Sequence, residues 1–218
     1  MKALRDALPV MFGYISVSIA FGIIAKDLIG LNAVLMSALV FAGASQFIAL
    51  QMLMNKANWY LIVLTTFFVN LRHILMSTYL SRFYSNVSVV KRSLVSFGIT
   101  DETFAIAVKR FREGKANWLY NLKLNAFCYI SWVSGTLIGL LFGYLIPLSL
   151  VDVFSFCLVA LFIFIATESV EKRFDVVVAV VAGIVAILLG SLPKGWNIIL
   201  ACLVGCLVGG VYEWRSQR

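Results

Sequence analysis

The stretch ANWYLIVLTTFFVNLRHILMSTYL, residues 57–80, decides the fold. As one helix it would rise about 36 Å, more than the roughly 30 Å hydrocarbon core of a bilayer. Near its middle sit Asn70, Arg72 and His73, the last being the chain's single histidine. A charged side chain at membrane depth costs at least ~2.5–3.5 kcal/mol, so an intramembrane arginine marks a functional locus.

Working outward, the same apolar character fills the chain. Hydrophobic residues make up 62% of the 218 positions and charged residues 13%, with a mean hydropathy of +0.98. A soluble domain carries roughly 25% charged residues. The composition therefore predicts an all-α polytopic membrane protein in contact with a lipid bilayer. The net charge of +8 lies in short connections between apolar runs, a pattern that orients membrane proteins and does not point to nucleic acid. The four cysteines, 128, 157, 202 and 206, lie in apolar stretches and form no C-x-x-C pair, which argues against a metal site or a disulfide framework. No cofactor is indicated. Lys2 and Arg5 ahead of an apolar run imitate a signal peptide, but further spans follow and no small-x-small site ends the run, so the N-terminus is expected to be retained.

Seven spans are predicted at residues 9–25, 31–54, 59–80, 124–145, 151–167, 176–192 and 196–212. An eighth, 93–108, is interrupted by Gly98, Thr100, Asp101, Glu102 and Thr103, and is either a broken span or a re-entrant segment. With eight crossings, twelve basic residues fall on the side of the N-terminus and five on the other, which predicts a cytoplasmic N-terminus. An internal repeat is suggested by Tyr14-Ile15-Ser16 before Gly22 and Tyr129-Ile130-Ser131 before Gly139. Residues 40–46 also align with 163–169. Two halves, 1–115 and 116–218, within one integral-membrane permease domain suit a secondary transporter, where sites form from interrupted helices at repeat interfaces.

Three loci carry polar chemistry. Thr66, Asn70, His73 and Ser77 recur at spacings of 4, 3 and 4, one helical face that should look toward protein or water. Gly98 to Glu102 predicts a helix break, with Thr100 or Asp101 capping the helix that follows and its amides available to an anion. One carboxylate can pair with Arg72 while the other carries a proton. The alternative is a solvated loop in which both merely cap a helix. Gly43-Ala44-Ser45-Gln46 allows close packing or local unwinding. Glu168 is the corresponding polar residue of the second half, or an interfacial charge. The ladders Gly135-x3-Gly139-x3-Gly143 and Gly205-x3-Gly209 predict close helix packing. Trp59, Tyr60, Trp196 and Trp214 suit interfacial anchors.

Phe41-Ala-Gly-Ala-Ser-Gln-Phe47, Asn70-Leu-Arg-His73 and Thr100-Asp-Glu-Thr-Phe104, in this order and spacing, resemble the AzlC family of branched-chain amino-acid exporters. The resemblance, which extends to Gly13, Phe21-Gly22 and the chain length, implies a permease of the bacterial inner membrane exporting leucine, isoleucine, valine and sometimes methionine. It also implies a small AzlD-type membrane partner and energy from the proton gradient. No G-x4-G-K-[ST] motif offers ATP as another source. The motif positions are Ser45, Gln46, Asn70, Arg72, His73, Thr100, Asp101 and Glu102. We expect Arg72 to face the substrate carboxylate, or to pair with Asp101 until substrate arrives. Ser45, Gln46, Asn70 and Thr100 would bind the polar end of the substrate, and Ile48, Leu71 and Ile74 would pack its side chain. Asp101 or Glu102, with His73, would carry the proton. Rival readings are an intramembrane acid-base or metal-dependent enzyme, for which no H-E-x-x-H or G-x-S-x-G motif is present, and a passive channel or assembly subunit, including a higher oligomer.

Overall fold

The computed structural model describes residues 2–84, 87–145, 156, 163, 167, 170, 173–190 and 196–216. Among them every regular element is helical. In chain order these are α1 (Lys2–Ile29), α2 (Asn32–Val40), α3 (Gly43–Met54), α4 (Trp59–Asn70), α5 (Arg72–Ser81), α6 (Val89–Phe97), α7 (Asp101–Arg112), α8 (Trp118–Phe142), α9 (Arg173–Leu188) and α10 (Trp196–Ser216). A short 3-10 turn, Arg82–Tyr84, follows α5. The chain divides into two compact units, Met1–Ile165 and Ala166–Arg218.

Three apolar helical stretches are long enough to cross a membrane: Lys2–Ile29, Trp59–Tyr84 and Trp118–Phe142. They coincide with predicted spans. Two other predicted spans are each divided into half-helices. Residues 31–54 become α2 and α3, and 93–108 fall within α6 and α7. Helices of 9 and 12 residues rise only about 14 and 18 Å, so neither half reaches across alone. The third predicted span is interrupted more mildly. Leu71, between α4 and α5, keeps right-handed helical angles of φ −54° and ψ −28°. The predicted span 151–167 lies outside the described residues except for 156, 163 and 167, as do Glu168, the rest of the 163–169 alignment apart from 163 and 167, Cys157 and the last two residues of the 176–192 span.

The first unit is organised around α1 and α8, whose backbones come into contact. A Cβ at Gly22 would strike the carbonyl oxygen of Thr136, one at Gly139 the carbonyl of Ile19, and one at Gly135 the hydroxyl of Ser18. The first predicted glycine ladder is thus a packing seam, which in a lipid-facing bundle takes the place of hydrophobic exclusion as the source of association. Over the seam lies an aromatic cluster in which Tyr14 meets Trp132 at 5.3 Å and Phe41 at 6.2 Å, both edge-on. In the second unit Phe174 stacks on Tyr212 at 3.6 Å, which makes α9 and α10 antiparallel. Gly205 there faces Ala182 and Val178, so the second ladder also packs against a helix.

At one end of the first unit Asp6 accepts hydrogen bonds from Arg110 Nε (2.8 Å), Arg110 Nη2 (2.6 Å) and Tyr120 Oη (2.6 Å). This bidentate clasp ties the start of α1 to the end of α7 and the start of α8. Beyond it, Lys115 and Arg110 hold the exposed Glu113 carboxyl below its usual range.

Candidate functional site

The two helix breaks meet at one small cavity. It is lined by Tyr14, Phe41, Ala42, Gly43, Ala44, Arg72, His73, Thr100, Asp101, Glu102 and Trp132, and its volume is about 30 Å³. That is room for one or two waters and too little for leucine, so the site is closed in this state.

The first break is held by strain and packing together. Phe41 takes a left-handed conformation (φ 44°, ψ 46°), which costs a non-glycine residue about 1–3 kcal/mol. Its buried ring sits between Tyr14 and Tyr129, and this packing holds the turn in place. Gly43 opens α3 directly beneath the Trp132 indole, where an added Cβ would lie 2.6 Å from the ring. α3 begins without a side-chain cap, and its first residues, Gly43 and Ala44, line the cavity, so the uncapped end of the helix lies at the cavity wall. The positive end of its dipole lies there too.

The second break is closed differently. Gly98 passes over Asn125, whose Nδ2 donates to the Val95 carbonyl at 2.9 Å and so satisfies the end of α6. Thr100 then caps α7. Its Oγ1 accepts from the Thr103 amide while the Thr100 amide donates to Thr103 Oγ1. Of the two caps anticipated from the sequence, Thr100 is the one used. Of the two helices that begin at these breaks, α7 has a side-chain cap and α3 has none, so the amide donors left available to an anion are those of α3.

Arg72 and Asp101 form an ion pair at 3.0 Å across the cavity. Arg72 Nε is buried with no hydrogen-bond partner among the described residues, so part of its donor fork is free. His73 Nδ1 lies 3.1 Å from the Asn70 carbonyl, which can only accept. The ring therefore carries its proton on Nδ1 there and leaves Nε2 as an acceptor when neutral. Glu102 is 4% exposed, and Tyr14 Oη stands 2.5 Å from its Oε2 and 2.7 Å from Thr100 Oγ1.

Five of the eight anticipated residues, Arg72, His73, Thr100, Asp101 and Glu102, thus share the cavity wall. The other three lie behind it. Ser45 donates to Asn70 Oδ1 at 2.7 Å, linking α3 to α4. Gln46 is fully buried and donates to Ser37 (2.9 Å) while accepting from the Trp132 indole (2.9 Å). Ile48, Leu71 and Ile74 do not line the cavity. Ile74 is 60% exposed because one residue past His73 is about 100° further around the helix. Two contributors escaped the reading of the sequence, Tyr14 as a polar partner and Trp132 as a ceiling. A lone aromatic in an apolar span carries no periodic signal, and the features that drew attention to these helices, the Tyr14/Tyr129 similarity and the glycines, did not single out either ring as part of a site.

Comparison with known proteins adds context. The family model described as "AzlC protein" matches residues 9–146. The chain is 33% identical to "Inner membrane protein YgaZ" of Escherichia coli, over 95% of this chain and 88% of that protein. It is 35% identical to an uncharacterized membrane protein of Archaeoglobus fulgidus, over 96% and 93%. It is 29% identical to "Branched-chain amino acid transport protein AzlC" of Bacillus subtilis, over 79% and 68%. No solved structure matches.

Proposed function

Since the chain belongs to the AzlC family of membrane proteins, we propose that it is a secondary transporter exporting the branched-chain amino acids leucine, isoleucine and valine, and sometimes methionine, across the bacterial inner membrane. The observation that carries this reading is one cavity in which the uncapped start of α3 meets the Arg72–Asp101 pair. A free amino acid presents a carboxylate and an ammonium at fixed separation, and these groups match both needs. The carboxylate takes the α3 amides and the Arg72 fork, displacing Asp101. The ammonium takes the carboxylate so released. Trp132 and Phe41 offer the aliphatic chain an apolar surface.

Because the cavity is closed, entry requires the ion pair to part and the half-helices to shift, a gating motion in keeping with broken-helix transporters. Ser45, Gln46 and Asn70 reach the substrate only after such a shift, since each is paired in the closed state. Asp101, Glu102 and His73 form the proton pathway of an antiporter driven by the proton gradient. The proposal includes a small AzlD-type membrane partner, seven to eight crossings, a cytoplasmic N-terminus, and two repeats, 1–115 and 116–218, in a single permease domain.

The test loads cells lacking their own exporters with a leucine-containing dipeptide and follows efflux of the freed amino acid. With the chain and its small partner present, efflux should be rapid and should stop when the gradient is collapsed. Arg72→Ala or Asp101→Ala should abolish it without removing the protein from the membrane. Normal efflux in either variant contradicts the assignment, and efflux indifferent to the gradient indicates a channel.

A further inference from the structure

We infer that Glu102 is the proton-carrying carboxyl of the transport cycle and that Tyr14 is the positioning residue that reads its protonation state. The inference rests on the transporter reading and assigns one atom to the coupled proton. The two carboxyls of α7 are adjacent in sequence but stand in different surroundings. Asp101 faces the cavity and is neutralised by a guanidinium at 3.0 Å. Glu102 is buried between α1 and α8 and takes the Tyr14 phenol as its partner. The ionisable groups around it are Tyr14 from α1, Cys128 from α8, the neighbouring Asp101, and Arg72 and His73 on the cavity wall. Asp101 already engages the guanidinium, so Glu102 can change charge without breaking an ion pair.

Tyr14 has one hydroxyl hydrogen and two acceptors within reach, Glu102 Oε2 and Thr100 Oγ1. With Glu102 ionised, Tyr14 donates to the carboxylate, and the Thr100 hydroxyl can turn its hydrogen to the phenol oxygen. When a hydronium ion arriving through the cavity gives its proton to Oε2 and leaves as water, Glu102 becomes the donor to the phenol oxygen and Tyr14 donates to Thr100. One proton is gained, no other bond to hydrogen changes hands, and the polarity of the chain reverses. Thr100 is the cap of α7, so the reversal acts on the hinge that positions Asp101 opposite Arg72. An ionised Glu102 adds a negative charge beside the cavity and favours the substrate ammonium. A protonated one removes it. Proton and substrate thereby disfavour each other, as an antiporter requires.

The experiment is infrared difference spectroscopy of the full chain in lipid bilayers, stepping the pH. A carboxylic-acid carbonyl band should appear on acidification, vanish in Glu102→Gln, persist in Asp101→Asn, and move in Tyr14→Phe. The phenylalanine retains the ring packing on Trp132 and Phe41 but cannot hydrogen-bond. Glu102→Asp provides a second variant, in which the band is retained but displaced. A band that survives Glu102→Gln, one lost only in Asp101→Asn, one unmoved in Tyr14→Phe, or none in the unaltered protein overturns the assignment. In transport, Glu102→Gln should lose at least tenfold in gradient-driven export, and what efflux remains should no longer respond to a step in the pH gradient; residual efflux that still follows the gradient overturns the coupling role. If the band behaves as expected while the unaltered protein moves no branched-chain amino acid, the proton site stands and the substrate assignment fails.

Discussion

Gln46 illustrates how a polar side chain in an apolar helix is held by its partners in the closed state. Its amide is wholly buried yet bonded on both sides, to Ser37 and Trp132, and Ser37 passes the network on to Thr136 at 2.8 Å. Gln46→Leu leaves the Trp132 indole N–H without its acceptor and Ser37 with Thr136 alone, a loss of about 1–3 kcal/mol measurable by thermal unfolding in detergent. Gln46→Glu keeps the acceptor for the indole and should depart less from the unaltered protein if its acid form donates to Ser37. Arg72 differs, because part of its fork is unused. Arg72→Lys keeps the charge but loses planar bidentate geometry, so the apparent KM for export should rise about tenfold or more while the protein remains folded. Both loci were legible in the sequence as polar residues in apolar runs. Which of them faced the cavity was not, because that depends on the turn at Phe41, whose left-handed backbone no residue type announces.

At the scale of elements, the break at Gly98–Thr100 was readable because consecutive polar residues cannot share one face of a helix. The break at Phe41–Ala42 was foreshadowed only by small residues compatible equally with packing. Thr100→Ala should cost about 1 kcal/mol of local helix stability through loss of the cap and should reduce export, whereas Thr100→Ser keeps both cap and relay. The α1–α8 seam predicts a sharper result. Gly139→Leu forces a side chain into the Ile19 backbone and should lower the unfolding temperature well beyond any surface change in α4, a helix with no buried residues. The clasp at Asp6 is equally specific, since Asp6→Ala leaves Arg110 and Tyr120 without their shared acceptor at a cost of about 2–3 kcal/mol. Glu113, held low by Lys115 and Arg110, contributes above its unfolded-state value. It loses that contribution only as pH falls through the depressed folded one, so neutral to mildly acidic conditions leave this corner intact.

For the molecule as a whole, composition and period were sufficient for an all-helical membrane protein, and the three motifs for membership of the AzlC family. Three apolar helical stretches match predicted spans, while two more were half-helix pairs whose crossing depends on how the halves are joined. Hydropathy sums over a window and is blind to a turn inside it, which is why residues 31–54 read as one continuous span. The convergence of two such breaks on one cavity is a long-range property that no local pattern encodes. The central claim is that this cavity is the amino-acid site. The most direct measurement introduces Ala44→Cys into a chain whose own four cysteines are replaced and follows its reaction with a small thiol reagent in native membranes. Leucine, isoleucine and valine should slow the reaction, leucinamide and lysine should not, and the protection should vanish in Arg72→Ala. A labelling rate that no branched-chain amino acid alters, in protein that still exports them, would place the substrate elsewhere.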